Sequence, residues 1–239
     1  MVSKNQRKQI QQLKQKKYRQ LYRKFVAEGD KVVQEFLDSG WTCDLLCAQH
    51  PEKYPNAIPV DALTMKQLTH FTTPSPVLAV FDFPQLSALR LESVTLVLEG
   101  IRDPGNLGTI LRLCDWFGLS QLLCSSDTVD CFNAKTVQAS MGSLARVSCH
   151  YIEELPQFLS SQHRPVFGAD LNGKSLYSFS FPSEGIYVFG SESHGLSKAV
   201  SGCVNEHITI PNFRKGKGPE SLNVATASAI FLSELFRGR

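Results

Sequence analysis

Val94-Thr95-Leu96-Val97-Leu98-Glu99-Gly100-Ile101-Arg102-Asp103-Pro104-Gly105-Asn106, continuing as Leu107-Gly108-Thr109-Ile110-Leu111-Arg112, is the stretch that decides how this chain folds. A short apolar, β-branched run stops at a loop rich in Gly and Pro, and a helical pattern starts behind it. Asn106 is a natural N-cap for that helix, whose first N–H groups would face an anion such as a phosphate. The alternation then repeats. Strand-like runs follow at Leu119 to Cys124, Arg146 to His150, Pro165 to Ala169, Ile186 to Phe189 and His207 to Ile210. Helices are expected near Leu107 to Phe117, Ala134 to Ser140, Ile152 to Ser160 and Leu222 to Phe236. This pattern predicts an α/β fold, a parallel sheet with helices on both faces. Ligands of such sheets bind at the carboxyl ends of the strands.

Two further segments begin where a strand candidate stops. One is Phe189-Gly190-Ser191-Glu192-Ser193-His194-Gly195-Leu196-Ser197; the other is Ile210-Pro211, followed by Ser221-Leu222-Asn223-Val224-Ala225. Together with the first stretch they converge on one rim of the predicted sheet. The trio resembles the three signature motifs of the SpoU (TrmH-type) RNA 2′-O-ribose methyltransferases, over roughly Ser93 to Leu235. That resemblance implies S-adenosylmethionine as cofactor, RNA as substrate and a C-terminal trefoil knot in the catalytic domain; composition and periodicity show no knot. It also implies a homodimer, to which a C-terminal helix carrying Val224, Ala227, Ile230, Phe231, Leu235 and Phe236 would contribute.

Carried over position by position, the resemblance places Asn106 and Arg112 at the target ribose. Glu192 matches an active-site carboxylate that orients Arg112 or the ribose, and Ser221 and Asn223 match the catalytic network. Gly190, Ile210 and Leu222 match positions that hold the cofactor, mostly through main chain. Gly142, in Lys135-Thr136-Val137-Gln138-Ala139-Ser140-Met141-Gly142-Ser143, would end a helix and lie near the cofactor cleft. Purely structural roles stand beside these: Asn106, Glu192 and Ser221 as helix caps, and Gly142 as a helix end. His194 stands where the family varies and is assigned no role. The segment Asn212 to Glu220 is longer and more basic than the shortest family versions, and Arg214, Lys215 and Lys217 could add phosphate contacts. Methylation needs the 2′-OH proton to leave, and a guanidinium makes a poor general base. Arg112 is therefore expected to orient the hydroxyl and a neighbouring phosphate and to stabilise developing alkoxide charge, leaving the proton acceptor open.

The 239 residues carry a net charge of +3, unevenly placed. Residues 1 to 24 hold nine Lys and Arg and no acid, against 16 basic and 22 acidic residues in the remainder. Such a start reads as a basic arm for phosphate backbones, with Lys14, Lys16, Lys17 and Arg19 as candidate RNA contacts, or as a solvated face. Its apolar positions, Ile10, Leu13, Leu21, Tyr22 and Phe25, fit one helical face that Glu28-Gly29-Asp30 breaks. Asp30 can cap a second helix ending at Gly40. A strand over Cys43 to Ala48, a helix over Ala62 to His70 and a strand over Val77 to Phe83 complete a small α/β domain. The expected organisation is an RNA-binding domain over 1–85, a linker over 86–92 and a methyltransferase domain over 93–239. By looser resemblance the first is the substrate-binding domain that precedes many SpoU catalytic domains.

Seven cysteines form no C-x-x-C pair, so structural metal is not expected. No apolar run reaches membrane-spanning length, and a reduced, cytoplasmic protein is expected. No G-x-G-x-x-G follows Val94 to Leu98, which argues against a NAD-type enzyme. Two alternatives remain: the target is transfer rather than large-subunit ribosomal RNA, or the chain is a non-catalytic RNA-binding or ribosome-assembly protein of the same fold.

Overall fold

In the computed structural model, residues 1–214, 217–218 and 220–238 are described; Lys215, named above as a phosphate contact, lies outside them. The elements run α1 (Lys4–Gln12), α2 (Lys16–Tyr22), β1 (Lys24–Glu28), α3 (Asp30–Asp38), β2 (Cys43–Ala48), β3 (Ile58–Pro59), α4 (Ala62–Leu68) and β4 (Val77–Asp82). Then come β5 (Val94–Leu98), α5 (Pro104–Trp116), β6 (Gln121–Ser125), α6 (Ala134–Ser140), β7 (Ser148–Ile152), α7 (Leu155–Ser160) and β8 (Val166–Ser175). The chain closes with β9 (Gly185–Phe189), α8 (Lys198–Ser201), β10 (Glu206–Thr209) and α9 (Val224–Phe236).

The chain packs as two units. The first comprises Met1–Leu86 together with Asp130–Arg146. Its sheet has the order β1-β4-β2-β3, with β1 and β2 antiparallel to β4 and β3 parallel to β2. Successive side chains point to opposite faces of a strand, so neighbours on β1 serve different cores. Val26 joins Ile10, Leu13, Met65 and Leu68 in an aliphatic cluster. Phe25 joins Phe36, Trp41 and Phe81 in an aromatic one. Phe132 completes that aromatic cluster, its ring 4.9 Å from Phe25 and 4.2 Å from Phe83, which is why residues 130–146 belong here although they follow β6. Residues 130–146, which fall within the expected 93–239 domain, thus pack in the first unit.

The basic start departs from expectation in a second way. It is two helices and a strand, because Arg23 adopts the left-handed conformation that ends α2 (φ 51°), and Lys24–Glu28 then pairs along β4. Helix α3 is capped at Gly29; Asp30 is its first residue and accepts a hydrogen bond from the Tyr54 hydroxyl at 2.7 Å.

The second unit comprises Ser87–Val129 and Val147–Arg239. Its six strands are all parallel, in the order β10-β8-β9-β5-β6-β7. Val97, Leu123, Ile186 and Val188 face α7 and α8 through Leu155, Leu159 and Val200. Phe189, one residue on from Val188 and so on the opposite face, meets Phe231 of α9 at 5.2 Å. The expected α/β sheet is present, with strand boundaries within a few residues except that β8 runs on to Ser175. Residues 84–93 carry no regular structure, and Arg90 and Ala88 bond the Gln121 side chain. None of the seven cysteines is in a disulfide, and burial pushes the Cys47 thiol up to about 11, which keeps it unreactive. Among the described residues no helix is long and apolar enough to cross a membrane, and no cluster of His, Cys, Asp and Glu could hold a metal ion.

Candidate active site

The loop after β5 starts α5 with a different cap from the one expected. Asp103 accepts the backbone N–H of Asn106 at 2.9 Å, and Pro104 occupies the first helical turn. Asn106 therefore sits inside the helix with its side chain released for other work. The same exchange occurs at α9, where Asn223 rather than Ser221 is the cap, its Oδ1 accepting from Ala225 and Thr226 at 3.0 and 3.2 Å.

These two asparagines meet. Asn223 Nδ2 donates to Asn106 Oδ1 at 2.9 Å, and Asn106 Nδ2 donates in turn to Glu192 Oε1. A single string of donors thus runs from the first N–H groups of α9, through two amides, to one carboxylate. Each bond polarises the next in the same direction. Glu192 is bonded to Asn106 here; of the two partners that the resemblance implied, Arg112 or the ribose, Arg112 makes no bond to it.

Glu192 rides on a tight hairpin. Ser191 and Gly195 exchange backbone hydrogen bonds of 3.1 and 2.9 Å. A Cβ at Gly190 would lie 2.1 Å from the Gly195 carbonyl carbon, so only glycine lets the hairpin fold back on the end of β9. Gly190 is thus required by the chain's own backbone. Behind the hairpin, the Glu99 carboxylate takes the Ser197 N–H at 2.9 Å.

The hairpin forms one wall of a cavity of about 410 Å³. Gly190, Glu192, Ile210, Ser221 and Leu222, all singled out from the sequence, line it. Its floor is apolar, with Phe189, Val224, Ala227 and Phe231. Asp170, Glu192 and Glu220 supply carboxylates, and no Lys or Arg is among the described lining residues. A small molecule with an apolar portion and a cationic centre suits this wall chemistry. Arg112 lies exposed on α5 and makes no hydrogen bond or ion pair among the described residues.

Two sequence-based assignments need correction. Gly142 is not among the lining residues; it packs in the first unit at φ +93°, where a Cβ would lie 2.4 Å from the Glu35 Cβ. It follows the left-handed Met141 that ends α6, which accounts for the glycine. Arg19 is 3% exposed, donates to Asp130 at 2.6 Å and to the Leu13 and Lys14 carbonyls at 2.9 Å, and so cannot contact RNA. Lys14, Lys16 and Lys17 are exposed, as RNA binding requires. Sequence reasoning missed Asp103, although an Asp one residue before Pro and three before Asn106 is itself a cap signature. It also missed Asp170 as a cavity residue; nothing local marks it, because the hairpin and β8 meet only in three dimensions, whereas His194, assigned no role from the sequence, stands within the second motif.

Residues 93–233 match the SpoU rRNA methylase family, and residues 4–79 match the MRM3-like substrate binding domain. The chain is 28% identical over 250 residues to 23S rRNA (guanosine(2553)-2′-O)-methyltransferase RlmP of Bacillus subtilis, covering 98% of this chain and 97% of the relative. Among solved structures, a Porphyromonas gingivalis protein assigned to the TrmH family of RNA methyltransferases superposes with a TM-score of 0.89 at 38% identity, over 100% of both chains. An S-adenosylmethionine-bound rRNA methyltransferase from Sinorhizobium meliloti superposes with a TM-score of 0.84 at 27% identity, over 100% of this chain and 97% of that one. This chain belongs to the SpoU rRNA methylase family, whose enzymes take their methyl group from S-adenosylmethionine.

Proposed function

We propose that this chain transfers a methyl group from S-adenosylmethionine to a ribose 2′-OH of large-subunit ribosomal RNA. The observation that carries it is the donor string from α9 through Asn223 and Asn106 to Glu192, which ties all three motifs together at the cavity wall. The residues present fit the cofactor. The cavity lies within the range of about 300–1,000 Å³ usual for small-molecule sites, and its carboxylates suit a cation that loses its sulfonium charge on transfer. S-adenosylmethionine supplies an electrophilic methyl group on positively charged sulfur. Gly190, Ile210 and Leu222 hold the cofactor, Glu192 fixes the ribose side, and Ser221 stands at the rim between them. Arg112, free on α5, orients the 2′-OH and an adjacent phosphate and stabilises alkoxide charge. The target class follows from RlmP, which is named for 23S rRNA.

Residues 1–85 serve as the RNA-binding domain, 86–92 as a linker and 93–239 as the catalytic region, with 130–146 contributed to the first unit. Exposed Lys14, Lys16 and Lys17 meet RNA phosphates. The segment after β10 threads a loop as a trefoil knot on its way to α9. The protein is cytoplasmic and works as a homodimer. Trp116, 84% exposed at the end of α5, and the adjoining Phe117–Phe236 ring pair support a partner there. Light scattering that returned a monomer mass would overturn that arrangement.

Mapping 2′-O-methyl groups in total RNA with and without the gene tests the function. The expected result is loss of methylation at one nucleotide of large-subunit rRNA. Loss in transfer RNA would redirect the substrate. A full methylation map together with a ribosome-assembly defect would establish the binding-protein alternative.

A further inference from the structure

We propose that His194 accepts the proton that leaves the ribose 2′-OH, an inference that rests on the function proposed above. His194 lines the cavity at the turn of the Ser191–Gly195 hairpin, two residues from Glu192. Its Nδ1 lies 2.7 Å from Ser193 Oγ, and its backbone N–H donates to Ser191 Oγ at 3.3 Å. Nδ1 and Ser193 Oγ share one hydrogen; in the tautomer that carries it on Nδ1, the lone pair of Nε2 is available to take a proton. Nε2 has no hydrogen-bond partner among the described residues. The backbone bridge between Ser191 and Gly195, and the close seat of Gly195 on Gly190, hold this ring on a stiff support.

The chemistry calls for such a group. Arg112 stays protonated and Glu192 already has one oxygen engaged by Asn106. An imidazole is the stronger base of the two side-chain types at neutral pH. The ionisable groups that line the cavity with His194 are Asp170, Glu192 and Glu220, all carboxylates. As the bond from O2′ to the methyl carbon forms, the O–H pair stays on oxygen and the proton passes to Nε2. The carbon–sulfur pair leaves with the sulfur, which becomes a neutral thioether. Imidazolium then returns its proton to solvent, to which the side chain is exposed.

Single-turnover methyl transfer to an rRNA fragment, followed against pH, tests this in the full chain. His194→Gln should lower the rate by about a hundredfold or more and abolish the rise of rate with pH on the acid side. Its affinity for S-adenosylmethionine by calorimetry should be unchanged. His194→Ala should be rescued by added imidazole in proportion to its concentration, which a structural role would not produce. A His194→Gln chain that keeps its rate and its acid limb overturns the assignment, as does a parallel loss of cofactor affinity. Wild-type chain that transfers no methyl to ribose overturns the proposed function itself, whereas failure confined to the variants concerns His194 alone.

Discussion

Arg19 and Arg112 carry the same guanidinium into opposite situations. Arg19 sits on α2 in a run of lysines, yet its side chain is buried and clamps Asp130 and two carbonyls. Arg112 sits on α5 between apolar residues, yet it is exposed and without a partner among the described residues. Charge density along a sequence therefore points away from the arginine that is exposed. The guanidinium in the basic run helps hold the first unit together, and the one in the apolar helix is exposed, as the proposed contact with RNA requires.

The largest expected effect breaks the buried member of this pair. Arg19→Ala removes the buried member of the pair, leaves the half-buried Asp130 carboxylate with only the Phe132 N–H, and should destabilise the fold by about 3 kcal/mol, read as a lower thermal or denaturant midpoint. A shift no larger than that of an exposed Lys17→Ala control would show that the pair is replaceable by water. Next comes Arg112→Ala. It should cost on the order of a hundredfold to a thousandfold in single-turnover rate, with S-adenosylmethionine affinity and melting temperature kept. A matching loss of cofactor affinity would mean that the ribose and cofactor sides are assigned the wrong way round. A more moderate loss is expected for Asn106→Ala, which cuts the string between Asn223 and Glu192. Removing a bond to a charged group costs about 1.5–3 kcal/mol, so the rate should fall by about ten- to a hundredfold; an unchanged rate would reduce the string to local structure.

The smallest effect concerns the arm. Deleting residues 1–24 is no test of it, because Val2, Ile10 and Leu13 are part of the first unit's core. Lys14→Ala with Lys17→Ala keeps that core. The pair should leave the melting temperature unchanged and make the salt dependence of RNA affinity shallower by about one for each phosphate that these lysines neutralise. An unchanged slope would leave these lysines as solubilising surface.

Much of the second unit was legible beforehand. Val94–Leu98 and Gly185–Phe189 are short, mostly apolar runs, each ended by Gly within two residues, so composition alone delimits them. The three motifs are likewise contiguous, and their spacing identifies the family without coordinates. Asn106 was legible as important but not in its role. As a local signal it reads as a cap, whereas its partners Glu192 and Asn223 lie 86 and 117 residues away.

The sequence by itself thus determined the parallel α/β architecture, the family and most of the cavity wall, since each rests on residue types within a few positions of one another. The tertiary structure decided the rest. It made Lys24–Glu28 a strand by pairing it with β4, and it drew residues 130–146 into the first unit through Phe132 and Asp130. It also buried Arg19, opened Arg112 and brought Asp170 to the cavity opposite the second motif. Burial and partner choice depend on what distant segments bring to a residue. A periodic pattern carries the local preference alone, and at each of these places pairing and packing across long separations outweighed it.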